Sequence, residues 1–274
     1  MKPERNHKEN FRRPARDGYR RPEPREEMEE NENQLEGRNA LTEALRSGRT
    51  IDKVFIAAGE TDRGLQHLAA QAKEVGAVVV PVDRRKLNAM STTGAHQGVI
   101  ALAAAREYAS IDDILQTAAD RGENALIVIC DELSDPHNLG AIIRSAECAG
   151  AHGVIIPKRR SVGLTAVVAK TSAGALEYMK VAKVTNIVNT IEELKQKGVW
   201  VFGTAAEGSV PMYKADLTVP AAIVIGSEGD GMSRLVQKSC DMTVHIPMKG
   251  HITSLNASAS ASILLYEAVR QRLL

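Results

Sequence analysis

The chain predicts an α/β fold: a small α/β unit followed by a larger one built on a parallel sheet. Two patterns carry this expectation. Short runs rich in Val and Ile alternate with segments of helical period, and glycine-bearing turns follow several of those runs. Such alternation sets parallel strands side by side with helices on both faces. A length of 274 residues suits about two domains.

Residues 1–33 read as a charged tail with too few apolar residues to offset chain entropy. Lys2, Arg5, Lys8, Arg12, Arg13, Arg16, Arg20, Arg21 and Arg25 form a basic arm. Glu26, Glu27, Glu29, Glu30 and Glu32 form an acidic block. An arm that neutralises RNA phosphates and a solubilising tail whose halves cancel fit this pattern equally.

Residues 34–104 make the small unit. Gly37-Arg38-Asn39 precedes a helical pattern through Leu41, Ala44 and Leu45. Lys53 to Ala57 is a β-favouring run. Leu65, Leu68, Ala69 and Ala72 recur at helical spacing. Gly76 to Val82 reads as a buried strand, and Gly98 to Leu102 as another. Arg84-Arg85-Lys86 reads first as a solvated helix start and second as a phosphate contact. His96 and Gln97 read as residues that pin a loop.

Residues 105–112 form a connection, and 113–274 the larger unit. Strands are expected at Ala125 to Cys130, Gly153 to Ile156, Val199 to Gly203, Ala221 to Ile225 and Met242 to Ile246. A helical pattern closes the chain from Leu255 to Leu274.

Composition narrows the function. No apolar run is long enough to span a membrane, and the charged start is no secretory signal. Cys130, Cys148 and Cys240 lack C-x-x-C spacing and read as core or near-core thiols of a reducing compartment, so a cytoplasmic location is expected. The seven histidines form no metal-ligand pattern, and no metal is expected. Aromatic residues at 3% disfavour base stacking on an RRM-like sheet.

Three segments of the second half are suited to a site. They are Asn138-Leu139-Gly140-Ala141-Ile142-Ile143-Arg144, Ile225-Gly226-Ser227-Glu228-Gly229-Asp230-Gly231, and Ile246-Pro247-Met248 with Ser254-Leu255-Asn256-Ala257-Ser258. Each joins an expected strand to an expected helix, and open α/β sheets bind ligands beyond the carboxyl ends of their strands. The second lacks G-x-G-x-x-G, which disfavours an ordinary Rossmann cofactor site. Its glycines let a flat ligand approach the backbone. Asn138 suits an N-cap or an RNA contact. Glu228 suits support of its own loop or orientation of Arg144, and Asn256 orientation of Arg144 or of substrate. Lys158-Arg159-Arg160 is a basic cluster of the kind that positions phosphates.

In their order and spacing the three segments resemble the signature of SpoU-type RNA ribose 2′-O-methyltransferases. Glu36-Gly37-Arg38-Asn39 and Gly94 to Val99 resemble the ribosomal-protein-L30e-like substrate-binding domain that precedes many of them. The resemblance implies a parallel-sheet SPOUT domain tied in a deep trefoil knot, with S-adenosylmethionine bent among the knotted loops. It implies cofactor contacts from Thr204, Gly226, Ile246 and Leu255, with Met248 as a wall. It implies that Arg144 acts on the ribose hydroxyl, with Asn138, Glu228 and Asn256 around it. Arginine holds its proton, so a fixed cation that orients a phosphate and stabilises the developing alkoxide is the preferred role. The resemblance is closest to the branch that methylates guanosine in bacterial 23S rRNA, and it implies a homodimer. A tRNA guanosine methyltransferase, an adenosine-directed resistance enzyme and a non-catalytic RNA-binding or ribosome-assembly protein are the competing readings.

Overall fold

The computed structural model describes residues 33–59, 62–205, 210–227, 229 and 231–273. The charged tail and Glu228 therefore lie outside the described residues. In chain order the elements are β1 (Gln34–Glu36), α1 (Arg38–Arg46), β2 (Ile51–Ala57), α2 (Arg63–Glu74), β3 (Val78–Val82), α3 (Arg84–Met90), β4 (Val99–Ala103) and α4 (Ile111–Arg121). They continue as β5 (Leu126–Cys130), α5 (Pro136–Cys148), β6 (Gly153–Pro157), α6 (Ala166–Thr171), β7 (Val181–Val184), α7 (Ile187–Gln196), β8 (Trp200–Thr204) and β9 (Val210–Pro211). The last are β10 (Ala221–Ile225), α8 (Arg234–Ser239), β11 (Met242–His245) and α9 (Ala257–Arg272).

The first four strands form a mixed sheet of order β1-β4-β2-β3. Alternation along each strand sends Val54, Val99, Ala101 and Ala103 to one face, beneath α1 and α2. The other face packs against the seven-residue α3 through Leu87 and Met90. Val78 and Val80 on that face are half-exposed, as is Val79 on the other, where the sequence reads as a buried strand.

The later strands form a sheet of order β7-β6-β5-β10-β8-β11-β9, with every neighbouring pair parallel. Its central strands β5, β6 and β10 are near-continuously apolar and buried on both sides, as expected when helices cover both faces. Leu126, Val128 and Cys130 pack toward α5, α6 and α9, while Ile127 and Ile129 pack toward α4 and α7. The expected strands are present. The sequence reading omitted β7, a four-residue strand with Lys183 inside it, and the two-residue β9. Strand β10 lies between β5 and β8, so a late strand enters beside an early one.

Two polar clusters tie the small sheet into place. Lys183 of β7 pairs with Asp52 of β2 at 2.5 Å, and Tyr108 donates to the same carboxylate at 2.9 Å. The Tyr108 oxygen in turn accepts from the Leu164 amide at 3.0 Å. Burial, and then the Asp52 charge, pushes the Tyr108 hydroxyl far above its ordinary range. A side chain at Gly163 would run into Asp52 and Tyr108, so the glycine lets the chain pass close to the pair.

The second cluster is centred on Glu36. Its carboxylate accepts from Gln34, from the Ser91, Thr92 and Thr93 hydroxyls, and from the Thr92 and Thr93 amides. Partial burial pushes this carboxyl up. The hydrogen bonds, led by Ser91 and Thr93, outweigh it and hold the group far below its ordinary value of 4.5. His96 and Gln97 continue the loop. His96 is buried, bonded to Asn88 and to the Gly98 amide, while the Gln97 side-chain oxygen accepts from the Arg38 amide. Both pin the loop.

The sign of the Glu36 shift yields a prediction. Its folded value is depressed, so its stabilisation is present above 4.5 and is lost as pH falls below that value. Glu36→Gln should therefore lower stability at neutral pH and flatten the loss of stability on the acid side. Urea unfolding at several pH values measures this, and an unchanged acid slope would refute it.

Candidate active site

Strands β8, β10 and β11 end side by side at Thr204, Ile225 and His245. The chain beyond each end encloses a cavity of about 790 Å³. Ile225, Val244, Ile246, Leu255 and Leu264 supply apolar walls. Gly226, Gly229 and Gly231 line it with backbone, and Thr253, Ser254 and Ser260 supply hydroxyls. The described lining contains no Asp, Glu, Lys or Arg. Apolar walls with a few convergent polar groups suit a small organic ligand with a flat, neutral ring.

The loop after β10 is held at both ends. Ser227 and Gly231 exchange backbone hydrogen bonds of 3.0 and 3.2 Å. The buried Asp131 carboxylate, at the end of β5, accepts from the Ser233 amide at 2.8 Å. Gly231 has φ +67°, a left-handed conformation natural to glycine. A Cβ at Gly226 would collide with the Gly231 and Met232 backbone. Gly226 thus serves the closure of the loop itself, and open space beside the backbone exists instead at Gly229 and Gly231. Gly226→Val should force the loop open and weaken ligand binding in the cavity at least about tenfold, within the range of core overpacking effects. Calorimetry with S-adenosylmethionine on a folded variant checks this, and unchanged affinity would disprove it.

All five residues expected at the cofactor, Thr204, Gly226, Ile246, Met248 and Leu255, line this one cavity. Sequence reasoning missed Met232, Gln237 and His245, which also line it. Gln237 lies on the six-residue α8, too short to show a helical period. Met232 directly follows the glycine loop, and that adjacency was a usable signal.

The expected catalytic residues lie on the neighbouring helices. Asn138 is buried, and its side-chain oxygen accepts from Asn256 Nδ2 at 2.9 Å. Asn138 does not cap α5. Asp135 does, with Pro136 in the first turn, because an Asp oxygen accepting from the His137 amide satisfies an orphan donor there. Asn256 caps α9, its oxygen accepting from the Ser258 and Ala259 amides. Its neighbours Leu255 and Ala257 line the cavity, so the Asn138–Asn256 bond links α5 to the cavity wall.

Arg144 is exposed on α5 and makes no ion pair among the described residues. It does not line the cavity. Six residues of helix turn it about 120° from Asn138. On the same helix Gly140 packs against Thr171 of α6, and Ser145 meets Ser262 of α9 at 2.8 Å. Arg144 therefore stands on a helix fixed by two neighbours. Of the basic cluster, Arg160 pairs with Glu132 at 2.7 Å, just ahead of α5.

Neither Cys130 nor Cys240 suits nucleophilic work. Burial pushes both thiols up to about 12, so neither supplies a thiolate at neutral pH. Cys148 is exposed, against the core or near-core position read from sequence. Among the described residues no group of His, Cys, Asp or Glu could hold a metal ion, and no helix is long and apolar enough to cross a membrane.

Comparison with known proteins places this geometry in context. The SpoU rRNA Methylase family model matches residues 125–266. A model described as RNA 2′-O ribose methyltransferase substrate binding matches residues 34–109. A TrmH family tRNA/rRNA methyltransferase of Bacillus subtilis strain 168, YacO, is 46% identical over 245 residues, covering 89% of this chain and 98% of that protein. The SpoU methyltransferase AviRb from Streptomyces viridochromogenes, solved with the cofactor AdoMet, superposes with a TM-score of 0.57 at 26% identity, covering 88% of this chain and 90% of the other. A solved RNA 2′-O ribose methyltransferase superposes with a TM-score of 0.51 at 28% identity, covering 88% and 89%.

Proposed function

The chain belongs to the SpoU rRNA Methylase family, and from that membership we propose a guanosine ribose 2′-hydroxyl of 23S rRNA as the group it methylates. It is an RNA methyltransferase whose methyl donor is S-adenosylmethionine. When bound, this cofactor supplies an electrophilic methyl group. The observation that carries the reading is the cavity at the ends of β8, β10 and β11, joined through Asn256 and Asn138 to the helix that bears Arg144.

The residues divide the work. Thr204, Gly226, Ile246 and Leu255 offer backbone and apolar surface to an adenine ring, and Met248 walls the cavity. No Asp, Glu, Lys or Arg stands among the described lining residues, and in this proposal the proton of the hydroxyl leaves to a group outside them. An RNA phosphate oriented by Arg144 is the acceptor we favour. Arg144 then stabilises the developing alkoxide. Asn138 and Asn256 hold the helix against the cavity, and Glu228 completes the set from the loop after β10.

Residues 34–104 serve as the L30e-like substrate-binding domain, 105–112 as the connection and 113–274 as the methyltransferase domain. The knot of such domains accords with β10 lying between β5 and β8. The chain works in the cytoplasm. Labelled S-adenosylmethionine, incubated with separate rRNA and tRNA pools, tests the target. Label in 23S rRNA at a guanosine ribose is expected. Label confined to tRNA would move the target to the nearest competing reading.

A homodimer accompanies this function. Helix α9 exposes Tyr266, and the segment before it exposes Met248, Ile252 and Leu255, of which Met248 and Leu255 line the cavity. Light scattering should give twice the monomer mass of 29.6 kDa. A monomer across working concentrations would contradict it.

A further inference from the structure

The α3-bearing face of the four-stranded sheet carries a second cationic feature. Phe55 of β2 lies on that face, between Val80 of β3 and Ile100 of β4 in register. The ammonium groups of Lys53 and Lys86 each stand 5.9 Å from the centroid of its ring. One comes from the strand and the other from α3, so two separate elements bring cations to one ring. Among the described residues neither lysine makes an ion pair, and neither does the adjacent Arg85. Nearby carboxylates are engaged. Glu36 is saturated by the Ser91 to Thr93 loop, and Asp83 caps α3 by accepting from the Arg85 amide at 2.8 Å.

An aromatic face attracts a cation, but two ammonium groups sharing one ring repel each other. A bound anion removes that repulsion. Around the ring the sheet is apolar and half-exposed through Val78, Val80 and Leu102, a surface on which a ribose or base edge can rest. We propose that Lys53 and Lys86 hold a backbone phosphate of the substrate RNA over Phe55, so that this sheet face is an RNA-docking surface distinct from the methyl-transfer cavity. The proposal rests on the RNA methyltransferase reading above. Charge complementarity selects RNA as the occupant, and the contact reads backbone rather than sequence.

The full-length chain is tested against an unmodified 23S rRNA transcript. Affinity is measured over a range of salt, beside single-turnover methylation at saturating RNA. Lys53→Gln with Lys86→Gln should weaken binding about tenfold and reduce the salt slope by about 1 to 2, one phosphate contact or its neighbour being lost. Lys53→Arg with Lys86→Arg should retain both affinity and slope. Phe55→Leu should weaken binding while leaving the slope unchanged, because it removes the ring and no charge. S-adenosylmethionine affinity and the saturated methylation rate should stay as in the wild type. Unchanged affinity and slope in the folded double Gln variant, with methylation intact, would overturn the docking surface alone. A reduced slope in a chain that methylates no RNA would uphold the surface and overturn the functional reading.

Discussion

Arg144→Ala should bind S-adenosylmethionine normally and lose methyl transfer by about 100- to 1,000-fold, the usual cost of removing a positioned transition-state donor. Folding should be almost unaffected. Arg144 is exposed and makes no ion pair among the described residues, and substitutions at such surface positions usually stay within about 0.5 kcal/mol. Arg144→Lys should also be slow, since an ammonium lacks the planar fork that holds two oxygens at once. RNA affinity should fall less than the rate, because other cations share the phosphates. Single-turnover methylation with saturating RNA and cofactor separates these effects. A near-normal rate for Arg144→Ala would reduce the residue to a solvated surface arginine and sink the proposed mechanism.

Lys183→Met should cost about 3–5 kcal/mol of stability, the range for breaking a buried ion pair from one side. Both partners are well shielded, with side-chain exposures of 12% for Lys183 and 9% for Asp52. The variant leaves the Asp52 carboxylate buried without its cation, with Tyr108 still donating to it. Adding Asp52→Asn should recover much of the loss, because an amide carries no uncompensated charge and can still accept from Tyr108. Urea unfolding of the single and double variants measures both effects. A loss below about 1 kcal/mol for Lys183→Met would place the pair among solvated ion pairs.

Much of the fold is legible in the chain because its signals are local. Val- and Ile-rich runs announce β5, β6 and β10, and their near-uniform apolarity announces a sheet covered on both faces, while β8 and β11 show as shorter β-favouring stretches. Strand β7 escaped notice because Lys183 interrupts its apolar run, and that lysine is paired with Asp52, 131 residues earlier. Strand β3 reads as buried because three valines in succession carry no record of what covers them. The cap of α5 was readable, since Pro136 marks the first turn and points to Asp135 rather than Asn138.

The candidate site divides along the same line. Glycines after a strand, a capping Asn256 and the spacing of Asn138 to Arg144 are short-range patterns, and they place residues on loops and helix ends without any coordinates. That Thr204, Gly226, Ile246, Met248 and Leu255 surround one cavity depends on β10 lying between β5 and β8 and on β11 lying beside β8. The Asn138–Asn256 bond, across 118 residues, depends on α9 packing against α5. Backbone propensity and hydrophobic period act over a few residues and so define elements. Strand order and long-range side-chain partners emerge from burying those elements together, and they become visible only once the chain has folded.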